Sequence, residues 1–394
     1  MDITATDFCK RAITTAQHFG FQPLEHFKDH PKCLDCPKKL KSHASAADRR
    51  LDAMHGLVTG GSVGYTDYKL HALEEPVLFY SLEQVPRSGD VALSLQVFGA
   101  PKSIAEALLI QTSRALVEEL GFGNHCVRIN SMGDRDSVTR YTRELTNFMR
   151  KRIEDMPPTA RELMKDHVLV ALQHLIEKEH ELAYRSPNAM EYLSDPARKH
   201  FRDIIEFLDV SETPYEIDPK LIGHHQCYSD ALFTIDILDE DDQRHPEAPI
   251  HVSGGRYNHF TEAQVPGAPP AAGAVVVLRD TPAPKRMPRS TIPDNSAVYV
   301  VHLGFGPKVR SLMLVDTLRR AGMAVQHNLL EDSLSNQLRD AERKAVRYTL
   351  ITGQKEFVDG TVVLRDMQAR TQEAIPVDQI AGRLKRFNAV TVAA

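Results

Sequence analysis

The apolar positions along this chain change period several times, and each change predicts an element. Residues Ala5–His18 place Phe8, Ile13 and Ala16 at helical spacing and stop at Gly20, a helix with a glycine C-cap. Pro76–Leu82 reads as a buried strand, and Val91–Phe98 alternates as a second. The turn Pro86-Arg87-Ser88-Gly89 between them predicts an antiparallel hairpin. Ser103–Leu120 is amphipathic at the helical period, with Ile104, Ala107, Leu108, Ala115, Leu116 and Leu120 apolar, and ends at Gly121. A strand follows over Cys126–Gly133, then a helix over Ser137–Arg152. From Thr159 to Leu208 the pattern is almost wholly helical, preceded by Pro157-Pro158 and broken at Ser186-Pro187. The glycine-rich stretch Leu57–Tyr68 has neither a GK[ST] ending nor a strand–GxGxxG–helix context, so it predicts a flexible loop.

The centre of the chain is Leu221–Phe260. Its first part, LIGHHQCYSDALFTIDI, runs from a loop into a strand. An acidic loop, Asp239–Pro249, separates it from IHVSGGRYNHF, a strand that breaks at Ser253-Gly254-Gly255-Arg256-Tyr257. Two glycines let backbone approach a ligand closely, and an adjacent arginine suits an anion. The stretch therefore predicts an anion pocket. His224 and His225 are adjacent and would point to opposite sides of a strand, so they are not expected to share a metal.

Asp280–Asn295 is proline-rich and aperiodic, the clearest linker in the chain. After it strands and helices alternate: strands at 297–303, 324–328, 348–352 and 361–366, helices at 307–321, 333–346 and 377–386. That pattern implies a small, largely parallel α/β domain. The expected architecture is an α+β core with a helical insertion, followed by this α/β domain.

Composition adds limits. The 394 residues, 42% hydrophobic and 26% charged, suit a soluble globular chain of two or three domains. The net charge of −5 gives no global attraction to nucleic acid, so any such contact needs a local patch. The longest apolar run, around Ala271–Leu278, falls far short of the ~20 residues that span a bilayer. The N-terminus lacks a signal pattern, which gives a cytoplasmic reading without membrane contact. The five cysteines, Cys9, Cys33, Cys36, Cys126 and Cys227, are odd in number and sparse, as expected in a reducing compartment. His26, His30, Cys33 and Cys36 have zinc-like spacings. They crowd into one short loop with no distant second pair, so a loop with reduced thiols is the expected reading and zinc the alternative.

Several motifs, in order, resemble the histidyl-tRNA synthetase family of class II aminoacyl-tRNA synthetases. INSMGDRDSVTRYTREL (129–145) is similar to the family's Ile-Asn-Ser-x-Gly strand and the helix after it. QVFGAPKSIAEALLI (96–110) resembles the end of motif 2 and its following helix, and SGGRYN (253–258) the Gly-Gly-Arg-Tyr-Asp loop. NQLRDAERKAVRYTLITGQKEFVDGTVVLRDMQARTQE (336–373) resembles the anticodon-binding domain. The resemblance implies a class II core over residues 1–285 with a helical insertion at about 157–208, a linker at 280–296, and an anticodon-binding-like domain over 297–394. It also implies a homodimer, tRNA as partner, and ATP with magnesium if the protein is active. The implied pocket residues are Gln96, Tyr228, Gly254, Gly255, Arg256, Tyr257 and Arg279, with Arg87 reaching in from the hairpin turn. Arg343, Lys344 and Arg347 in that domain are candidates for contact with RNA phosphates, the alternative reading being a solvated helix face.

The departures from the family pattern are chemical. Laid on LIGHHQCYSDALFT, the family's Leu-Val-Arg-Gly-Leu-Asp-Tyr-Tyr stretch puts its arginine on Gly223, its aspartate on Gln226 and its first tyrosine on Cys227. The motif 2 arginine falls on Tyr80, and the glutamate before Val-Phe-Gly has become Gln96. No Arg-Pro-Glu-x-Thr pattern occurs in Leu51–Glu75. Adenylate formation joins two anions and needs cations as charge develops at the α-phosphorus; losing one such donor typically costs a factor of hundreds. The favoured expectation is a synthetase-like protein without histidine activation that binds tRNA or another RNA, or a protein partner. The alternatives are an active, divergent histidine–tRNA ligase, or a regulatory paralogue like the ATP phosphoribosyltransferase regulatory subunit.

Overall fold

The computed structural model describes residues 3–29, 52–68, 70, 73, 76–86, 88–224, 227–245, 247–264, 267–288 and 298–392. The chain divides into two compact units. The first holds residues 1–10, 23–208 and 213–288; the second holds 11–22, 209–212 and 289–394. Among the described residues no helix is long and apolar enough to cross a membrane. Helix α1 spans Ala5–His18.

The first unit is built on one sheet. Its strands are β1 (Gln22–Pro23), β2 (Val77–Gln84), β3 (Asp90–Phe98), β4 (His125–Gly133), β5 (Tyr215–Ile217), β6 (Ser229–Ile237), β7 (Ile250–Arg256) and β8 (Ala271–Pro282). They lie in the order β1-β2-β3-β8-β7-β6-β4-β5. From β2 across to β4 every pairing is antiparallel, and β5 joins β4 in parallel. The β2–β3 hairpin forms as its alternation predicts. β3 is buried along nearly its whole length, because helices cover both of its faces.

Side-chain alternation assigns the two faces. Arg256 at the end of β7 bonds Glu106 of helix α3 (Ile104–Glu119), so the residues level with it, Ala272 and Val97, also face α3. The opposite face carries Gln96, Gly273, Gly255 and Leu232, each the direct neighbour of the next.

Helix α2 (Asp52–Asp67) lies over that opposite face and overturns the loop expected at Leu57–Tyr68. A glycine inside a helix costs about 1 kcal/mol against alanine, which favoured the loop reading. Packing reverses it. A Cβ on Gly61 would stand 2.2 Å from the Gln96 side chain, and one on Gly64 3.0 Å from Leu24, so these glycines let the helix approach the sheet. Tyr65 then stacks on Phe98 with ring centroids 4.1 Å apart.

Helix α4 (Arg135–Arg150) is N-capped by Asp134, whose side chain accepts from the Ser137 backbone N–H. The helical stretch after it resolves into α5 (Pro158–Asp166), α6 (Val168–Glu177), α7 (Glu181–Tyr184) and α8 (Asp195–Val210). Leu145 and Met149 of α4 share one apolar cluster with Leu169, Leu172 and Leu175 of α6. A short helix, α9 (Asn258–Gln264), follows β7 directly.

The second unit has a sheet of β9 (Val298–His302), β10 (Gln326–His327), β11 (Tyr348–Thr352), β12 (Thr361–Asp366) and β13 (Thr371–Pro376), ordered β10-β9-β11-β12-β13. β10, β9 and β11 are parallel and the last two antiparallel. Helices α10 (Phe305–Arg320), α11 (Leu334–Arg343), α12 (Gln354–Asp359) and α13 (Ile380–Val392) connect and cover it. Tyr299 and Val301 of β9 pack with Ala341 of α11. The strand expected at 324–328 shortens to two residues, and α12 and β13 were not signalled by the periodicity.

Candidate functional site

The sheet face opposite α3 is the candidate site, and its side chains stand in three rows. The first row runs Phe79, Gln96, Gly273, Gly255, Leu232, Asn130 across six strands. The second runs Ser81, Ser94, Val275, Ser253, Thr234, Arg128. The third holds Glu83, Ala92, Val277 and His251.

The first row is filled by the protein's own side chains. Gln96 is fully buried, donates through Nε2 to the Val58 carbonyl and the Ser94 hydroxyl, and accepts from the Tyr257 hydroxyl. Tyr257 meets Phe98 edge-on, and burial pushes its phenol well above the ordinary range. Tyr228 covers the other end of the row. A Cβ on Gly255 would lie 2.9 Å from its ring, and a Cβ on Gly223 only 2.3 Å from it. One aromatic ring thus rests against two glycines. Burial raises the Tyr228 phenol as well, with Cys227 adding to the shift.

Arg256 corrects the expectation of an open anion pocket. It is 1% exposed, and its guanidinium makes four hydrogen bonds within the protein. Nε and Nη2 donate to the two carboxylate oxygens of Glu106 at 2.7 Å each, and Nη1 and Nη2 donate to the Ala100 and Lys102 carbonyls. His200 of α8 stands 2.7 Å from the same carboxylate. Burial alone would raise the Glu106 carboxyl, but Arg256 and His200 more than offset it and hold the carboxyl down at about 2. Gly254 also turns away: its Cβ position meets the Phe233 ring on the α3 face. The glycines and arginine of this stretch serve interior packing and a buried ion pair.

Among the described residues, the arginines expected to face an anion are engaged within the protein. Tyr80 pairs with Leu95 across β2–β3 and so faces α3, away from Gln96; the residues of β2 on the site face are Phe79, Ser81 and Glu83. Burial pushes the Glu83 carboxyl upward although the Ser81 hydroxyl donates to it. Arg279 donates to the Ala248 carbonyl and contacts His251 Nδ1 at 3.3 Å. His251 is held down at about 4, by burial first and Arg279 second, so it is neutral at pH 7. Arg128 is paired with Asp218 at 2.9 Å and Asp236 at 2.7 Å. Arg87, Cys33, Cys36 and His30 lie outside the described residues, and His26 is exposed with its ring edge-on to Phe27. Among the described residues no three His, Cys, Asp or Glu side chains gather as metal ligands, and Cys9, Cys126 and Cys227 form no disulfide.

The sequence reading missed Glu106, Glu83 and His251. Glu106 left a signal: a carboxylate inside the apolar stripe of α3 requires a buried cation.

The RNA-contact candidates cluster at the end of α11. Arg343 and Lys344 both pair with Asp340, and Arg347 stands 3.7 Å from Asp366. Arg343 is 71% exposed at its side chain, and exposed ion pairs of this kind are weak, so a phosphate can compete for it.

Comparison with known proteins agrees with this architecture. The family model described as "Anticodon binding domain" matches residues 297–387. The chain is 25% identical over 350 residues to a histidine–tRNA ligase of Thermosynechococcus vestitus, covering 86% of this chain and 78% of that one. It is 24% identical to a histidine–tRNA ligase of Halalkalibacterium halodurans, covering 76% and 71%. The structure of apo S. aureus histidyl-tRNA synthetase overlays at TM-score 0.44 and 17% identity, covering 82% of this chain and 80% of that chain. An antiparallel sheet backed by helices, followed by an anticodon-binding domain, places the chain in the class II aminoacyl-tRNA synthetase fold. Within that class it is a histidyl-tRNA synthetase-like family member.

Proposed function

We propose that this histidyl-tRNA synthetase-like chain does not activate histidine and acts by binding, with RNA engaged through its C-terminal domain. The observation that carries the reading is the contact between Gly223 and Tyr228. Residue 223 is where the family resemblance places the arginine that serves the reacting carboxylate and phosphate. A Cβ there would meet the Tyr228 ring at 2.3 Å, so no longer side chain fits without displacing a buried aromatic. Gln96 in place of a carboxylate, and Arg279 and Arg128 already engaged, support the same reading. With no cation among the described residues positioned at the developing charge, the adenylation transition state loses the stabilisation it requires.

The relatives' names favour a second reading, an active ligase using ATP and magnesium. That reading needs a cation supplied from elsewhere in the chain, Arg87 being the candidate nearest in sequence. ATP–pyrophosphate exchange with histidine separates the two: undetectable exchange is expected here, and exchange at a relative's rate contradicts it. The RNA role rests on Arg343, Lys344 and Arg347, and a homodimer is proposed from the family resemblance.

A further inference from the structure

A cavity of about 200 Å³ lies in the first unit, away from the sheet face described above. Leu172, Ile176, Ala183 and Pro187 supply apolar lining, and Lys220, Tyr184, Ser186 and Asn188 supply polar groups. Leu172 and Ala183 are buried, whereas Tyr184 is 58% exposed. The Lys220 ammonium sits 3.2 Å from the centroid of the Tyr184 ring. Lys220 makes no ion pair among the described residues; its backbone N–H bonds Asp218.

We propose that this cavity is a binding site for a small monocarboxylate with an aliphatic or aromatic body. The apolar lining favours burial of a hydrocarbon body, and the volume suits a body of roughly eight heavy atoms, somewhat more than the benzene that fills a cavity of about 150 Å³. The lining also holds one ammonium, Lys220, whose partner among the described residues is the Tyr184 ring. A cation–π contact at an exposed edge is weaker than a charge-assisted hydrogen bond to a carboxylate that excludes water. One cation matches one negative charge, so a dianionic phosphate is the poorer fit. Lys220 stands three residues ahead of Gly223, so a ligand held here would bridge the helical insertion and the segment that carries Tyr228 over the sheet.

The test uses the full chain and 3-phenylpropionate, followed by calorimetry and ligand-observed NMR. Saturable binding with a Kd of about 1 mM or tighter is expected for a ligand of this size. The uncharged 3-phenylpropanamide should bind at least ~10-fold more weakly, and the Lys220→Gln variant should lose a similar factor for the acid. Lys220 is half-buried at the cavity's edge, so this variant leaves the apolar core intact. Absence of saturation at ~10 mM, or equal affinity of wild type and Lys220→Gln for the acid, overturns the proposal.

Discussion

Arg256 shows how one residue can carry a binding signature and serve the interior instead. Its guanidinium and the Glu106 carboxylate form a two-pronged pair inside the protein, joined by His200. Removing one partner of such a pair leaves an uncompensated buried charge, which typically costs 3–5 kcal/mol. Glu106→Gln should therefore lower the unfolding free energy of the first unit, read by urea titration, by an amount of that order. A change below about 1 kcal/mol would show that the pair is dispensable. The Gly-Gly-Arg stretch read in the sequence as backbone approaching an anionic ligand, and the close approach turned out to be to the protein's own interior. What it packs against was not legible, because Glu106 lies 150 residues away and only the fold brings it near.

At the scale of elements, α2 separates local preference from packing. Gly60 has nothing within 4 Å of a Cβ, whereas Gly61 would drive one into Gln96 at 2.2 Å. Gly60→Ala should stabilise by about 0.5–1 kcal/mol, as helix propensity dictates. Gly61→Ala should destabilise by about 1–3 kcal/mol, because overpacking outweighs the propensity gain. Denaturant unfolding of the two variants checks the opposite signs; the same sign for both would refute the placement of α2. The glycines hid this helix, since each counts against one until the sheet beneath is known. After residue 297 each strand–helix period is local, so β9 to β12 and helices α10, α11 and α13 were readable, whereas α12 and β13 were not. Helix α11 offers a further test. Arg343→Ala should weaken tRNA binding evenly across sequences and lower the salt slope by about one. Affinity unchanged at low salt would remove this helix end from the RNA contact.

Across the whole molecule, buried imidazoles set the response to acid. His302 is held down at about 4, by burial first and Lys308 second, and His327 at about 3, by burial first and His18 second. Unfolded imidazoles protonate near pH 6.5, so the neutral folded forms contribute stability above that pH and lose it as pH falls toward 4 and 3. Their contributions are at most on the order of 3 kcal/mol for His302 and 5 kcal/mol for His327. His200 acts with the opposite sign: Glu106 raises its pKa despite burial, so its contribution is present below pH 6.5 and is lost as pH rises. Lowering the pH from 7 to 4.5 should therefore speed amide hydrogen exchange in residues 298–392 beyond the intrinsic trend. Unchanged protection there would contradict the burial of these rings.

The proposed loss of histidine activation rests on a sheet face where the protein's own side chains occupy the first row. Tyr228 lies against Gly223, Gln96 is tied down by Tyr257, and Arg256 is locked to Glu106. ATP–pyrophosphate exchange with histidine, run beside one of the active relatives at matched protein concentration, tests that conclusion most directly. Exchange at the background rate is predicted, with the anticodon-binding-like domain still folded. Histidine-dependent exchange approaching the relative's rate would contradict it and require a cation that the described residues do not supply.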